Sequence, residues 1–109
     1  MTPLAAAAPR LAVEVGGLRL KNPLLAASGT FGYGVEYAGI LDLASLGGLV
    51  SKGLYLEARD GCGTPRIVET PSGLLNAIGL QGVGVRAFVE KVLPALRGVD
   101  TAVLVNVCG

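Results

Sequence analysis

Three apolar runs, "PLLAASG", "GLVSKGL" and "TAVLVNVCG", constrain this chain more than any other feature. Each is short, continuous rather than alternating, and bounded by glycine or proline. A strand that is apolar on both sides must be covered on both faces, which is the condition of a parallel sheet flanked by helices. Between the runs lie stretches long enough for crossover helices, and right-handed crossovers would coil the units in one direction. The composition agrees with this reading. With 109 residues, 51% hydrophobic and 16% charged, the chain is apolar for a freestanding small domain.

Around the three strands the remaining elements are legible. Two alternating runs meet at Gly16-Gly17, which predicts a hairpin. Val35, Ala38, Leu41 and Leu43 to Leu46 follow a roughly helical pattern closed by Gly47-Gly48. The second strand is expected from about Leu49 to Leu54, followed by the polar loop "EARDGCGTP". "RIVETPSGLLN" reads as two extended pieces turning at Pro71-Ser72-Gly73. Val85, Phe88, Val89, Val92, Leu93 and Leu96 recur in steps of three and four, the stripe of an amphipathic helix. Pro94 is expected to bend or end its last turn, and Gly98 to stop it. Residues 1–10 read as a loose leader, with 11–109 as one structural unit. The expected fold is α/β, the N-terminal part of a TIM (β/α)8 barrel: the hairpin plus about three barrel strands, where a complete barrel takes roughly 250 residues.

Several function classes are disfavoured. The net charge is +1 with no basic cluster, which argues against nucleic acid and anionic membrane surfaces. No apolar run approaches the length of a transmembrane helix. Cys62 and Cys108 have no metal-ligand spacing and suit reduced cytoplasmic thiols. There is no histidine, so the commonest general base and metal ligand is absent. "GTFGYG" lacks the spacing and downstream acid of a dinucleotide fingerprint.

The candidate site lies where the strands end. Run one closes on Ala27-Ser28-Gly29, run two on Ser51-Lys52-Gly53, run three on Asn106-Val107-Cys108-Gly109. In a parallel barrel these carboxyl ends converge on one face, and glycines there let backbone approach a flat ligand. Lys52 would bring an ammonium to the edge of an apolar core; its plain alternative is a lysine snorkelling to solvent. Asn76 and Asn106 each carry a donor and an acceptor suited to an imide, or serve as turn or cap residues. Ser28 is a ligand contact or the cap of the turn after strand one. Cys62 and Cys108 read as bystanders.

"NPLLAASGTFGYGVEY", "SKGLYLEARDG", "TPRIVETPSGLLNAIGLQ" and "NVCG", in this order and spacing, resemble dihydroorotate dehydrogenase, from about Leu11 to Gly109. "NAIGLQ" is more similar to the NAD-linked class (class 1B) than to the fumarate-linked class. The resemblance implies a TIM barrel that binds FMN at its strand ends and oxidises (S)-dihydroorotate to orotate in pyrimidine synthesis. Hydride would pass to FMN and then towards NAD. It implies flavin contacts from Ser28, Lys52, Gly53 and Asn106. It gives Lys52 a second contact, to the substrate, and makes Asn76, Ala77, Ile78, Gly79 and Leu80 the cradle of the pyrimidine.

In the family the base is a cysteine on a later loop, which neither Cys62 nor Cys108 matches, and late loops hold the flavin phosphate. The 109 residues alone are therefore expected to be inactive and to bind FMN weakly. A partner subunit carrying FAD and an iron–sulfur cluster, and a homo- or hetero-oligomer, are implied too. The cytoplasm is the expected location. Two alternatives remain open: a non-catalytic fragment or interaction module, and a flavin barrel of the dihydropyrimidine dehydrogenase type.

Overall fold

The computed structural model describes residues 11–109, so the proposed leader lies outside the described residues. The first element is the expected hairpin. Strands β1 (Val13–Val15) and β2 (Leu18–Leu20) pair antiparallel, with Val15 opposite Leu18. Gly16 and Gly17 have φ of 57° and 80°, the paired positive angles that a tight primed turn demands and that side chains resist.

The centre is a three-stranded parallel sheet. Strands β3 (Leu25–Ala26), β4 (Gly48–Val50) and β5 (Ala102–Leu104) lie in that order, the chain reaching the third only after a long crossover. The pairing of the last two runs on beyond their regular portions. Ser51 N–H donates to Leu104 O (2.8 Å), Leu54 N–H to Asn106 O (2.8 Å) and Cys108 N–H to Leu54 O (2.9 Å). The fold is thus mixed α/β around a parallel sheet, as the three apolar runs imply.

Between β4 and β5 the chain makes an excursion. Two further strands, numbered β6 (Ile67–Thr70) and β7 (Gly73–Asn76) as they enter here, form an antiparallel hairpin at the expected turn. All eight of its residues are exposed. This projection accompanies a radius of gyration of 17.5 Å, against about 13 Å for a compact domain of this size.

The helix expected over Val35 to Leu46 does not form. Two 3-10 turns, Val35–Tyr37 and Leu43–Ser45, take its place. Asp42 explains the break. Its backbone is extended, its carboxylate accepts from Ala44 N–H (3.0 Å), and its carbonyl accepts from the Ser45 hydroxyl (2.7 Å). Such local bonds offer the backbone an alternative to the helical ladder.

The second helix forms. It runs as a helical turn α1 (Gly84–Ala87), a π-helical stretch (Phe88–Val92) and a turn α2 (Leu93–Leu96). Pro94 does not end it. The turn before Pro94 is widened instead, which accommodates a ring that supplies no N–H. Of the stripe, Phe88 and Leu96 are buried and Val92 and Leu93 half-buried, whereas Val85 and Val89 are exposed.

The core is two small clusters. One holds Leu43, Leu49 and Leu96; the other holds Tyr33, Leu54 and Phe88. Leu49, in the central strand, is fully buried. Much apolar side chain stays outside these clusters, including Ile40, Leu56, Leu74, Leu75 and Val107. Among the described residues no helix is long and apolar enough to cross a membrane.

Candidate functional site

The carboxyl ends of the three parallel strands converge on a cavity of about 220 Å³. Ser28 and Gly29 reach it from the end of β3, Lys52 and Gly53 from the end of β4, and Asn106 and Cys108 from the end of β5. Tyr55, Leu80 and Gln81 complete its wall. Polar tips read separately along the sequence thus share one space.

Each tip is held by backbone. Ser28 opens the helical turn Ser28–Phe31 with Ala27 at the cap position, so its hydroxyl does not cap that turn. Lys52 N–H donates to Gly32 O (2.8 Å). Ser51, fully buried, ties two tips together: its hydroxyl donates to Lys52 O (3.1 Å) and accepts from Asn106 N–H (3.2 Å). A buried hydroxyl satisfied on both sides fixes the register of the groups it joins. Gly53 is required by space. A methyl group there would lie 2.7 Å from Cys108 Sγ and 3.7 Å from Asn106 Nδ2.

The segment carrying Leu80 is strained. Leu80 has φ of 55°, directly after Gly79 at 76°. A branched side chain in the left-handed region costs roughly 1–2 kcal/mol and clusters at functional sites. The chain is braced to bear it. Arg66 donates to Gln81 Oε1 (2.6 Å), Asp60 O (2.8 Å) and Cys62 O (2.6 Å), and Cys62 N–H donates to Ile78 O (3.0 Å).

Electrostatically the cavity is one-sided. Lys52 is half-buried, and among the described residues no carboxylate pairs with it. Its neighbours offer a hydroxyl (Ser28), amides (Asn106, Gln81) and a thiol (Cys108). That donor set suits an electron-rich heteroatom edge on a flat ligand.

The model of the family described as dihydroorotate dehydrogenase matches residues 10–109. The chain belongs to the dihydroorotate dehydrogenase family. It is 56% identical over 101 residues to the dihydroorotate dehydrogenase B (NAD(+)), catalytic subunit, of Geobacter sp. (strain M21), covering 93% of this chain and 33% of that protein. It is 57% identical over 99 residues to the protein of the same description from Thermoanaerobacter sp. (strain X514), covering 91% and 33%. The chain spans about a third of the length of the curated relatives it matches.

Of the residues the family resemblance singles out, Ser28, Lys52, Gly53, Asn106 and Leu80 line the cavity. Asn76 stands on β7 opposite Ile67, exposed, rather than in a turn or a cap. Ala77, Ile78 and Gly79 form the approach to Leu80: Ala77 N–H donates to Arg66 O (2.9 Å), and Gly79 packs against Cys62. These four residues do not line the cavity. Tyr55 and Gln81, which the sequence did not single out, do, and so does Cys108, which reads from sequence as a bystander. For Cys108 the missing signal was pairing: the parallel bridge between Leu54 and Val107 carries the next residue to the rim.

Proposed function

We propose that the full protein to which these residues belong oxidises (S)-dihydroorotate to orotate with FMN as hydride acceptor and NAD as the eventual oxidant. We further propose that it is built as a TIM barrel of which this sheet is the N-terminal part. The observation that carries the reading is the meeting of Ser28, Lys52 and Asn106, from three successive parallel strands, in one cavity beside Leu80. Family membership and the printed description of the relatives support it.

The residues fit a flavin edge. Ser28 and the Asn106 amide can donate to ring heteroatoms, and Gly53 leaves room for a ring where a side chain would crowd Cys108 and Asn106. When bound, the flavin supplies the hydride acceptor, chemistry no side chain here provides. The chain's own part is binding, orientation and electrostatics. The Lys52 ammonium would hold the carbonyl edge of the ring, a fixed positive charge that would favour negative charge there. It also meets the substrate. Leu80, with Asn76 to Gly79 leading to it, is assigned to the pyrimidine side.

A cavity of about 220 Å³ is below the usual range of roughly 300–1,000 Å³ for ligand sites, and it is open. The 109 residues therefore contribute one wall, and on their own they are expected to hold FMN weakly and not to turn over. The exposed Ile40, Leu56 and Val107 suit covering by further barrel units. The words "catalytic subunit" in the relatives' description support a second, electron-transferring subunit.

The test is turnover by the full gene product with its FMN. Dihydroorotate should bleach the flavin and, with the partner subunit, reduce NAD, while dihydrouracil should not. Turnover of dihydrouracil with none of dihydroorotate would move the protein to the dihydropyrimidine dehydrogenase type. A full gene product that binds neither FMN nor orotate would leave the interaction-module reading.

A further inference from the structure

Tyr55 lies directly after the buried Leu54, within the stretch "SKGLYLEARDG", but the family resemblance assigns it no contact with the flavin or the pyrimidine. Its ring is half-buried and lines the cavity together with Leu80 and Gln81. One face of that ring is taken. The guanidinium carbon of Arg59 sits 3.6 Å from the ring centroid, a cation–π contact. Arg59 is in turn fastened to the neighbouring wall. Its N–H donates to Gly82 O (2.8 Å), and its carbonyl accepts from Gly82 N–H (2.9 Å). The carbonyl of Tyr55 accepts from Val85 N–H (3.1 Å). Ring, arginine and the Leu80–Gln81 segment therefore form one braced unit.

The three tyrosines of the chain differ in how their hydroxyls are used. Tyr33 is buried and its hydroxyl accepts from Val83 N–H (3.1 Å). Tyr37 stacks on Phe31 with centroids 4.4 Å apart and donates to Thr30 O (3.3 Å). Among the described residues the Tyr55 hydroxyl has no hydrogen-bond partner. Tyr55 thus brings to the cavity an aromatic surface fixed from behind and a hydroxyl that can donate or accept. Arg59 adds a positive charge beside it.

We propose that Tyr55 is a further contact residue for the pyrimidine and that Arg59 is the residue that positions it. This rests on the reading of the cavity as a dihydroorotate dehydrogenase site. The assignment is to the pyrimidine rather than the flavin because Tyr55 is braced, through Arg59 and Gly82, to the Leu80–Gln81 wall. A planar ring packs well against a fixed aromatic surface. The free hydroxyl suits the carbonyl groups that orotate carries, while Arg59, behind the ring, holds it in place.

The experiment uses the full gene product with its FMN, reading three quantities: FMN content, KM and kcat for dihydroorotate, and orotate affinity from the perturbed flavin spectrum. Tyr55→Ala should raise KM and the orotate Kd about tenfold, the usual scale of a lost ring contact, with kcat changed by no more than about threefold and FMN content unchanged. Tyr55→Phe should show the hydroxyl's share, a KM rise of roughly threefold. Arg59→Ala should move KM the same way with kcat held, and Arg59→Lys, which keeps the cation, should restore most of the loss.

If Tyr55→Ala does not fold, the phenylalanine and arginine variants decide alone. Unchanged KM in Tyr55→Phe and Arg59→Ala overturns the proposal, as does loss of FMN from Tyr55→Ala without any change in KM. A wild-type protein that does not oxidise dihydroorotate sinks the functional reading instead. An active wild type with indifferent Tyr55 variants sinks only this inference.

Discussion

Two lysines mark the two ends of the same sheet. Lys21 lies just after β2, at the amino end of the parallel strands, and its ammonium donates to Asp100 Oδ2 at 2.9 Å and to the Asp100 carbonyl. Lys52 lies just past β4, at the carboxyl end, and no carboxylate among the described residues answers it. The first pair staples the N-terminal hairpin to the start of β5, closing one end of the sheet. The second cation is held half-buried among a hydroxyl, amides and a thiol. The difference teaches what separates a structural charge from a functional one: the partner, and whether the protein has already supplied it. Asp100 is 93% exposed, so even the satisfied pair is a surface staple.

The sharpest way to break this comparison is to remove each cation. In the full gene product Lys52→Ala should lower turnover of dihydroorotate by roughly 10²–10³-fold, the typical effect of deleting a preorganised donor aimed at developing charge. Folding should be little affected, because the variant also removes a half-buried charge that has no acidic partner. Steady-state kinetics beside a thermal melt check both halves. Turnover within a few-fold of wild type would return Lys52 to the class of lysines that merely reach solvent.

A smaller effect should follow from crowding the same end. At Gly53 an added methyl would meet Cys108 Sγ at 2.7 Å, closer than real contacts allow. Gly53→Ala must therefore turn the thiol or push the ends of β4 and β5 apart, at a cost of roughly 1–3 kcal/mol. FMN retention is expected to fall about tenfold, read by flavin absorbance after gel filtration. Cys108→Ala removes the obstacle, so the double variant should recover most of the retention if the two positions couple directly. A double variant no better than Gly53→Ala would show that the glycine matters for another reason.

Much of this end of the molecule was legible in the residues. Apolar runs that stop at Ser28, Lys52 and Asn106 carry their own register, because a buried strand can surface only where it ends. The hairpin at Gly16-Gly17 was legible for a similarly local reason: the turn needs two positive φ angles. What failed was periodicity where side chains compete with it. Asp42 bonds to Ala44 and Ser45 and divides a helical pattern into two short turns. The wall formed by Tyr55, Gln81 and Cys108 was not legible, since it depends on which distant segments meet. Nor was the strained Leu80, whose φ is set by the bracing through Arg66 and Cys62 rather than by its own preference.

The smallest effect belongs to the other lysine, and it sharpens the comparison. Lys21→Ala removes the staple between hairpin and sheet but leaves Asp100 in solvent, where an unpaired carboxylate costs little. An exposed pair of this kind contributes about 0–1 kcal/mol and weakens as salt is raised. The variant should lose at most a few degrees of melting temperature, a loss that shrinks further in high salt, and keep its turnover within about twofold. Asp100→Asn should match it, because either change breaks the same pair. If Lys21→Ala instead lowered turnover as much as Lys52→Ala, the two ends of the sheet would be coupled, and the contrast between a satisfied and an unsatisfied cation would lose its meaning.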